Sequence, residues 1–340
     1  MSEIYKKIVY PRIGLLGNPS DGFGGKTIST PFKNFQAEVV LWPSQTLKFV
    51  PNEQDQEEFE SVAQMSQVVK KTGYYGGIRL IKSAIVTFAD YCDKNNIAYD
   101  REKNFTVSYR TNIPRQSGLA GSSAIITATI RALMDLWRIS KKDIPDAVLA
   151  NIILAAETDS LGIAAGLQDR VVQAYSKPIY MDFSAEAYKK NRGLHGAYKV
   201  MADEDMPDLL LAWCDKPSES GKVHSDIKAR FEKRDPEVIK AMEKFANIAE
   251  EGYGAIREKD RDKLHSLMNK NFNLRRKLYG DKVVGRDNIK MVDLARSLGA
   301  AAKFPGSGGA IVILPKRITD DKIIIKVFKE NGYLIERVII

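Results

Sequence analysis

The chain has 340 residues, 44% hydrophobic and 28% charged, the composition of a soluble globular protein large enough for two domains. No apolar run is long enough to span a bilayer, and Met1 to Lys7 lacks the apolar segment of a signal peptide, so a cytoplasmic protein is expected. The net charge of +9 favours anionic partners, but bases alternate with acids, as from Arg257 to Lys263, which reads as a solvated helix face and not as a nucleic-acid surface.

Cys92 and Cys214 are far apart and belong to no Cys-x-x-Cys pair, so neither a disulfide framework nor a zinc site is expected. His195, His224 and His265 form no metal-ligand cluster.

Ile8 to Tyr10 is strand-like, and Arg12 to Gly17 continues the pattern. Asn18 to Thr27 is a loop dense in turn residues. Gly25-Lys26-Thr27 nearly completes a P-loop, but its first glycine would fall at Ser20. Thr27 to Thr30 and Ala37 to Trp42 also read as strands, where a P-loop must open a helix. Helices are expected at 56–71 and 78–95, separated by Thr72 to Gly77. Phe105 to Tyr109 alternates as a strand, Ile126, Ile130, Leu133 and Trp137 recur at helical spacing, and 143–158 reads as a further helix.

A strand pair is expected between Val171 and Phe183. The polar stretch from Ser184 to Ala197 marks the domain boundary, dividing 1–190 from 191–340. Beyond it Leu209 to Trp213 is a buried strand, and helices cover 222–233, 235–253, 258–279 and 286–298. A glycine-rich loop from Ala301 to Ala310 leads into the strand Ile311 to Leu314. A helix at 322–331 and a strand from Leu334 to Ile340 close the chain.

The stretch from Pro114 to Ala124, PRQSGLAGSSA, joins the strand at 105–109 to the helix that follows. Glycine lets the backbone approach a ligand, and the free N–H groups of a helix N-terminus favour an anion. The loop therefore reads either as a phosphate cradle or as a tight turn with a serine cap. Two further glycine-rich loops, one near each end of the chain, favour the cradle.

Pro11 to Gly17, Pro114 to Ala124 and Lys303 to Ala310, in that order, resemble the three motifs of the GHMP kinases, the family named for galactokinase, homoserine kinase, mevalonate kinase and phosphomevalonate kinase. The resemblance spans nearly the whole chain, with Ala120 standing where the second motif usually has glycine. It implies an α+β fold of two domains, the first like ribosomal protein S5 domain 2 and the second ferredoxin-like, with the active site between them. Gly-Asn-Pro-Ser-Asp at 17–21, paired with Pro-Arg-Gln-Ser-Gly-Leu at 114–119, looks most like the glucuronokinase branch.

The resemblance also implies ATP, Mg²⁺ and a set of roles. Pro114, Ser117, Gly118, Leu119, Ala120, Gly121, Ser122 and Ser123 would hold the nucleotide, and Ser123 and Glu157 would share Mg²⁺. Asp169 matches the catalytic aspartate, with Arg12 beside it. Asp21, Lys26, Arg115, Gly306, Ser307 and Gly308 would line the acceptor site. Chemistry agrees: phosphoryl transfer needs positioning and charge neutralisation, and Mg²⁺ takes few protein oxygens. In isolation Asp169 reads rather as a partner for Arg170 or a loop cap and Glu157 as a solvent-facing helix residue, and the alternative for Arg12 is a strand-edge ion pair. Tyr74 and Tyr75 either line an adenine pocket or pack in the core.

The expected activity is ATP-dependent phosphorylation of the anomeric hydroxyl of a sugar acid such as glucuronate. Its alternatives are a kinase for a neutral sugar, a heptose phosphate or mevalonate, and a non-catalytic sugar sensor. Partners are the small-molecule acceptor and ATP, with neither nucleic acid nor membrane; monomer and homodimer both stay open.

Overall fold

A computed structural model describes residues 3–52, 55, 61, 76–214 and 224–340. The helix expected at 56–71, with Tyr74 and Tyr75, lies outside them. The described strands form three four-stranded sheets.

The first sheet runs β1 (Tyr5–Val9), β4 (Ala37–Pro43), β6 (Phe105–Thr111), β5 (Lys48–Phe49), antiparallel except for the β5–β6 pair. Across it lies α2 (Gly121–Leu136), flanked by α1 (Gly77–Lys94) and α3 (Asp146–Thr158). α2 is buried along most of its length. Its threonines avoid a desolvation penalty by donating back along the helix, Thr127 to the Ser123 carbonyl at 2.7 Å and Thr129 to that of Ile125 at 2.9 Å.

The second sheet runs β2 (Arg12–Leu16), β3 (Lys26–Pro31), β7 (Ile179–Asp182), β8 (Ala197–Val200), all antiparallel. The sheet thus continues past residue 190, and the polar stretch before β8 holds the short helix α5 (Ala185–Lys190). Val171 and Val172 do not open a strand: Gln168–Tyr175 is helix α4, and only Ile179–Asp182 is a strand. The β-branched pair suggested a strand, but positions 168, 171, 172 and 175 fall on one helical face, which packs on β2 and β3.

The third sheet runs β10 (Ala301–Lys303), β11 (Ala310–Leu314), β9 (Leu210–Trp213), β12 (Leu334–Arg337). Read from β12, this is the 4-1-3-2 order of a ferredoxin-like unit, with the first crossover expanded into several helices. Those described are α6 (His224–Glu232), α7 (Pro236–Arg257), α8 (Arg261–Tyr279), α9 (Asp281–Val284) and α10 (Arg286–Ser297); α11 (Asp321–Glu330) precedes β12. Ala301 to Lys303 is thus strand where loop was expected, because it pairs with Leu314 to Val312.

Two cores result. One lies wholly in the second half, around Phe245, Phe272 and Phe328. The other joins the first two sheets to α7 and α8 through Ile248, Ala249, Leu264 and Met268. Gly252 of α7 lets Leu16 of β2 in: a Cβ there would lie 2.1 Å from Leu16 Cδ1. This packing sets α8 against β2, where the site forms.

Candidate active site

The three glycine-rich loops meet through their backbones. The Arg12 N–H donates to the Leu119 carbonyl at 3.2 Å, and the Gly14 N–H to the Pro305 carbonyl at 2.8 Å. Gly118 and Gly306 approach so closely that a Cβ on Gly306 would stand 2.0 Å from the Gly118 oxygen. Gly118 also has φ +67°, so neither position tolerates a side chain. Gly121 is roomier, its nearest neighbour for a Cβ being Ile113 at 3.3 Å.

What caps α2 bears on the two readings of the loop. Its N-cap is Ala120, whose side chain has no oxygen to accept from the first N–H groups of the helix, so the serine-capped turn is not what forms. Ser117 donates instead to the Pro114 carbonyl at 2.6 Å, and Ser123, fully buried, to the Ala120 carbonyl at 3.2 Å. φ is positive at Gln116, Gly118 and Ala120 but not between them, an alternation that turns successive N–H groups toward one concave side. Ala120 holds this left-handed conformation despite its Cβ, at a cost of about 1–2 kcal/mol.

A chain of charges runs beside the cradle. Arg12 sits in β2, buried on both faces, and is 4% exposed. Its Nε donates to Asp169 Oδ1 at 2.5 Å and its Nη1 to the Gly118 carbonyl at 2.6 Å. Asp169 lies in the first turn of α4, where a carboxylate suits the helix dipole. Arg170 Nη1 reaches the other Asp169 oxygen at 3.2 Å. The ion pair with Arg170 is therefore present, and Arg12 stands on the other oxygen. Burial works against its ionisation, but Arg12 and then Arg170 outweigh it and hold the carboxyl below the ordinary aspartate range.

Glu157 is not solvent-facing; it is 0% exposed, at the end of α3. Arg170 Nε donates to its Oε2 at 2.6 Å, reinforced by Nη2. The hydroxyl on its Oε1 is that of Ser122, at 2.6 Å, while Ser123 points inward. Among the described residues no three His, Cys, Asp or Glu side chains cluster to hold a metal.

The opposite wall comes from the second half. Asn271 of α8 accepts from the Gly17 N–H at 2.8 Å and donates to the Asn18 carbonyl at 3.2 Å. Lys303 of β10, 1% exposed, donates to the Gly14 carbonyl and Asn18 Oδ1 at 2.7 Å each and to the Phe304 carbonyl at 2.6 Å. Burial, then Arg275 and Arg12, pull its pKa well below the ordinary lysine value; three oxygens, one for each ammonium N–H, pull the other way.

Asp21 follows Asn18 in a short 3₁₀ turn and accepts from the Gln168 N–H at 3.4 Å. Gly166 lies so close that a Cβ there would be 2.2 Å from Asp21 Oδ2. Burial, then the charge of Asp169, push the Asp21 carboxyl up to about 6. Lys26 turns to Glu250 at 2.7 Å, and Arg115 sits half-buried in the cradle loop. Gly306, Ser307 and Gly308 press on Gly118.

Asn271, Arg275 and Lys303 had no site role in the sequence reading, and Arg170 only that of a partner for Asp169. A signal existed for two of them: Asn271 and Arg275 share the buried stripe of α8 with Leu264, Leu267, Met268 and Leu278, polar residues at core positions.

Comparison with known proteins agrees with this geometry. Residues 79–177 match the family model for the GHMP kinases N-terminal domain. The chain is 43% identical to a probable glucuronokinase 2 of Arabidopsis thaliana, over 98% of this chain and 91% of that one. It is 43% identical to glucuronokinase 1 of the same plant, over 97% and 90%. Among solved structures it is similar to a Lactococcus lactis galactokinase complexed with galactose, with TM-score 0.74 and 16% identity over 99% of this chain and 94% of that one.

Proposed function

We propose that this chain, which belongs to the GHMP kinase family and is a glucuronokinase-like, ATP-dependent sugar kinase, phosphorylates the anomeric hydroxyl of glucuronate. The observation that carries the reading is Arg12, which bonds Asp169 with one nitrogen and the Gly118 carbonyl of the cradle with another. One guanidinium thus ties the acceptor's base to the nucleotide loop, the alignment that an in-line transfer requires. The acceptor's identity is supported by the two plant relatives, each named a glucuronokinase.

In this reading the N–H groups of Gly121, Ser122 and Ser123 receive the phosphates of ATP. Asp169 orients the sugar hydroxyl and takes its proton. Each carboxylate oxygen keeps a lone pair beyond its arginine, so the acceptor still finds a partner. A carboxylate held ionised is a weak base, which suits a loose transition state in which the proton leaves late. Asp21 bonds the sugar's hydroxyls.

Glu157 Oε1 with the Ser122 hydroxyl is a donor set that fits Mg²⁺, one carboxylate and one hydroxyl beside a phosphate cradle. Mg²⁺ held there would neutralise charge on the transferring phosphoryl group. Arg170 holds Glu157 turned toward the cradle. The proposal includes a cytoplasmic location, where ATP is held, and a division into two units after β8.

The test is ADP release with ATP and Mg²⁺ across glucuronate, galacturonate, the matching neutral sugars, a heptose phosphate and mevalonate. Glucuronate should give the highest kcat/KM. A preference for a neutral sugar or mevalonate would retain the kinase and remove the acceptor.

A further inference from the structure

Arg275 of α8 is 5% exposed, and among the described residues it forms no ion pair. Its Nη1 donates to the Gly306 carbonyl at 2.8 Å and its Nη2 to the Ser307 carbonyl at 3.4 Å. Its guanidinium carbon lies 5.1 Å from the centre of the Phe304 ring and 5.4 Å from that of Tyr279. Among the described residues no carboxylate lies within ion-pair distance of it. Burying an arginine on neutral oxygens and ring faces costs free energy unless something else uses the charge.

Its surroundings say which anion. Arg275 holds the 306–307 turn, and Arg12 Nη1 stands 3.0 Å from where a Gly306 Cβ would be. Asp21 and Tyr279 lie within reach of its field, and both oppose the fall in its pKa that burial causes. Through that turn and Arg12, Arg275 is tied to Asp169, the base assigned to the acceptor's hydroxyl. Two of its five N–H groups serve the 306–307 turn, and a planar fork flanked by two rings presents the others in a fixed direction. Of the two cations that sequence offered for this purpose, Lys26 is bound to Glu250 and Arg115 lies in the loop before α2.

We propose that Arg275 receives the carboxylate of the sugar-acid acceptor and sets the preference for a uronic acid over the neutral sugar. The proposal rests on the sugar-acid reading of the acceptor site. With the carboxylate bound, the buried cation gains its counter-charge only when the right acceptor is present, while a neutral sugar leaves it unpaired.

The experiment combines acceptor kinetics with calorimetric binding on the full chain. In the wild type, glucuronate should bind more tightly than glucuronamide, its uncharged isostere, and more tightly than glucose. Arg275→Met should raise the KM for glucuronate about 10- to 100-fold, as expected for a lost charge-assisted pair, with the KM for ATP unchanged. Arg275→Lys, which keeps the charge but loses the fork, should fall between. Equal binding of glucuronate and glucuronamide to the wild type would overturn the proposal, as would an unchanged glucuronate KM in either variant. A rise in the KM for ATP would give the cation to the phosphates, and an equal loss with glucuronate and glucose would make it structural; both outcomes overturn it. A wild type that turns over no sugar acid removes the acceptor reading itself. A wild type that does so, with variants unaffected, removes only this inference.

Discussion

On the wall built by the first half, Arg12, Asp169, Arg170 and Glu157 alternate in sign, each within hydrogen-bonding distance of the next. On the wall built by the second half, Lys303 and Arg275 touch carbonyls, an amide oxygen and aromatic faces. Both walls are buried. The first neutralises itself, so its geometry is set before any ligand arrives. The second leaves positive charge uncompensated, a state whose desolvation cost an incoming anion can offset. The contrast assigns chemistry to the first wall and recognition to the second.

The largest effect that should break this contrast is Asp169→Asn. It preserves shape and keeps an acceptor for Arg12, but removes the base, so kcat should fall about 10²–10⁴-fold while ATP still binds. Single-turnover kinetics with a nucleotide-binding titration checks both halves. Near-normal turnover would move the chemistry elsewhere.

Glu157→Gln comes next. It removes the fully buried one of Arg170's two carboxylate partners, leaving Asp169, and should lower stability by about 3 kcal/mol while raising the Mg²⁺ requirement. Denaturant melts and a metal titration of turnover report the two effects separately. Lys303→Met is its counterpart on the second wall. It leaves only neutral oxygens without donors and removes a buried charge, so its cost should be smaller, about 1–3 kcal/mol. A larger loss than that of Glu157→Gln would show that Lys303 has an anionic partner.

The finest test uses pH. Because the folded state raises the Asp21 carboxyl to about 6, its contribution to stability is complete below the ordinary value of 3.8 and is lost as pH rises through about 6. Asp21→Asn should therefore raise Tm above about pH 7, with the gain disappearing below about pH 4. Asp169, held below 3.8, adds no limb in that range. In the wild type, kcat/KM for the acceptor should fall as Asp21 protonates near 6, and the Asn variant should lose that limb. A limb that persists in the variant belongs to another group.

Much of the first wall was legible before any fold was known, because its residues sit in or beside glycine-rich loops whose chemistry is local. Gly118, Gly121 and Ser122 precede a helical repeat, and that order alone places N–H groups at a helix start. Which serine meets Glu157 was not legible: adjacent residues on a helix point about a third of a turn apart, and only the path of α3 selects Ser122. Val171 and Val172 misled for a related reason, since a β-branched pair signals a strand until the sheet beneath it accepts a helix.

The sequence by itself determined the elements, the three loops and their order, since turn chemistry and periodicity act within a few residues. Tertiary structure alone decided that Lys303 bonds the side chain of Asn18, 285 residues away, and that Arg275 holds the turn that meets Gly118. A side chain's charge is written in the chain, but the neighbours that oppose or satisfy it are not. Those depend on α8 crossing β2, a contact made by Gly17, Asn271 and the packing around Gly252.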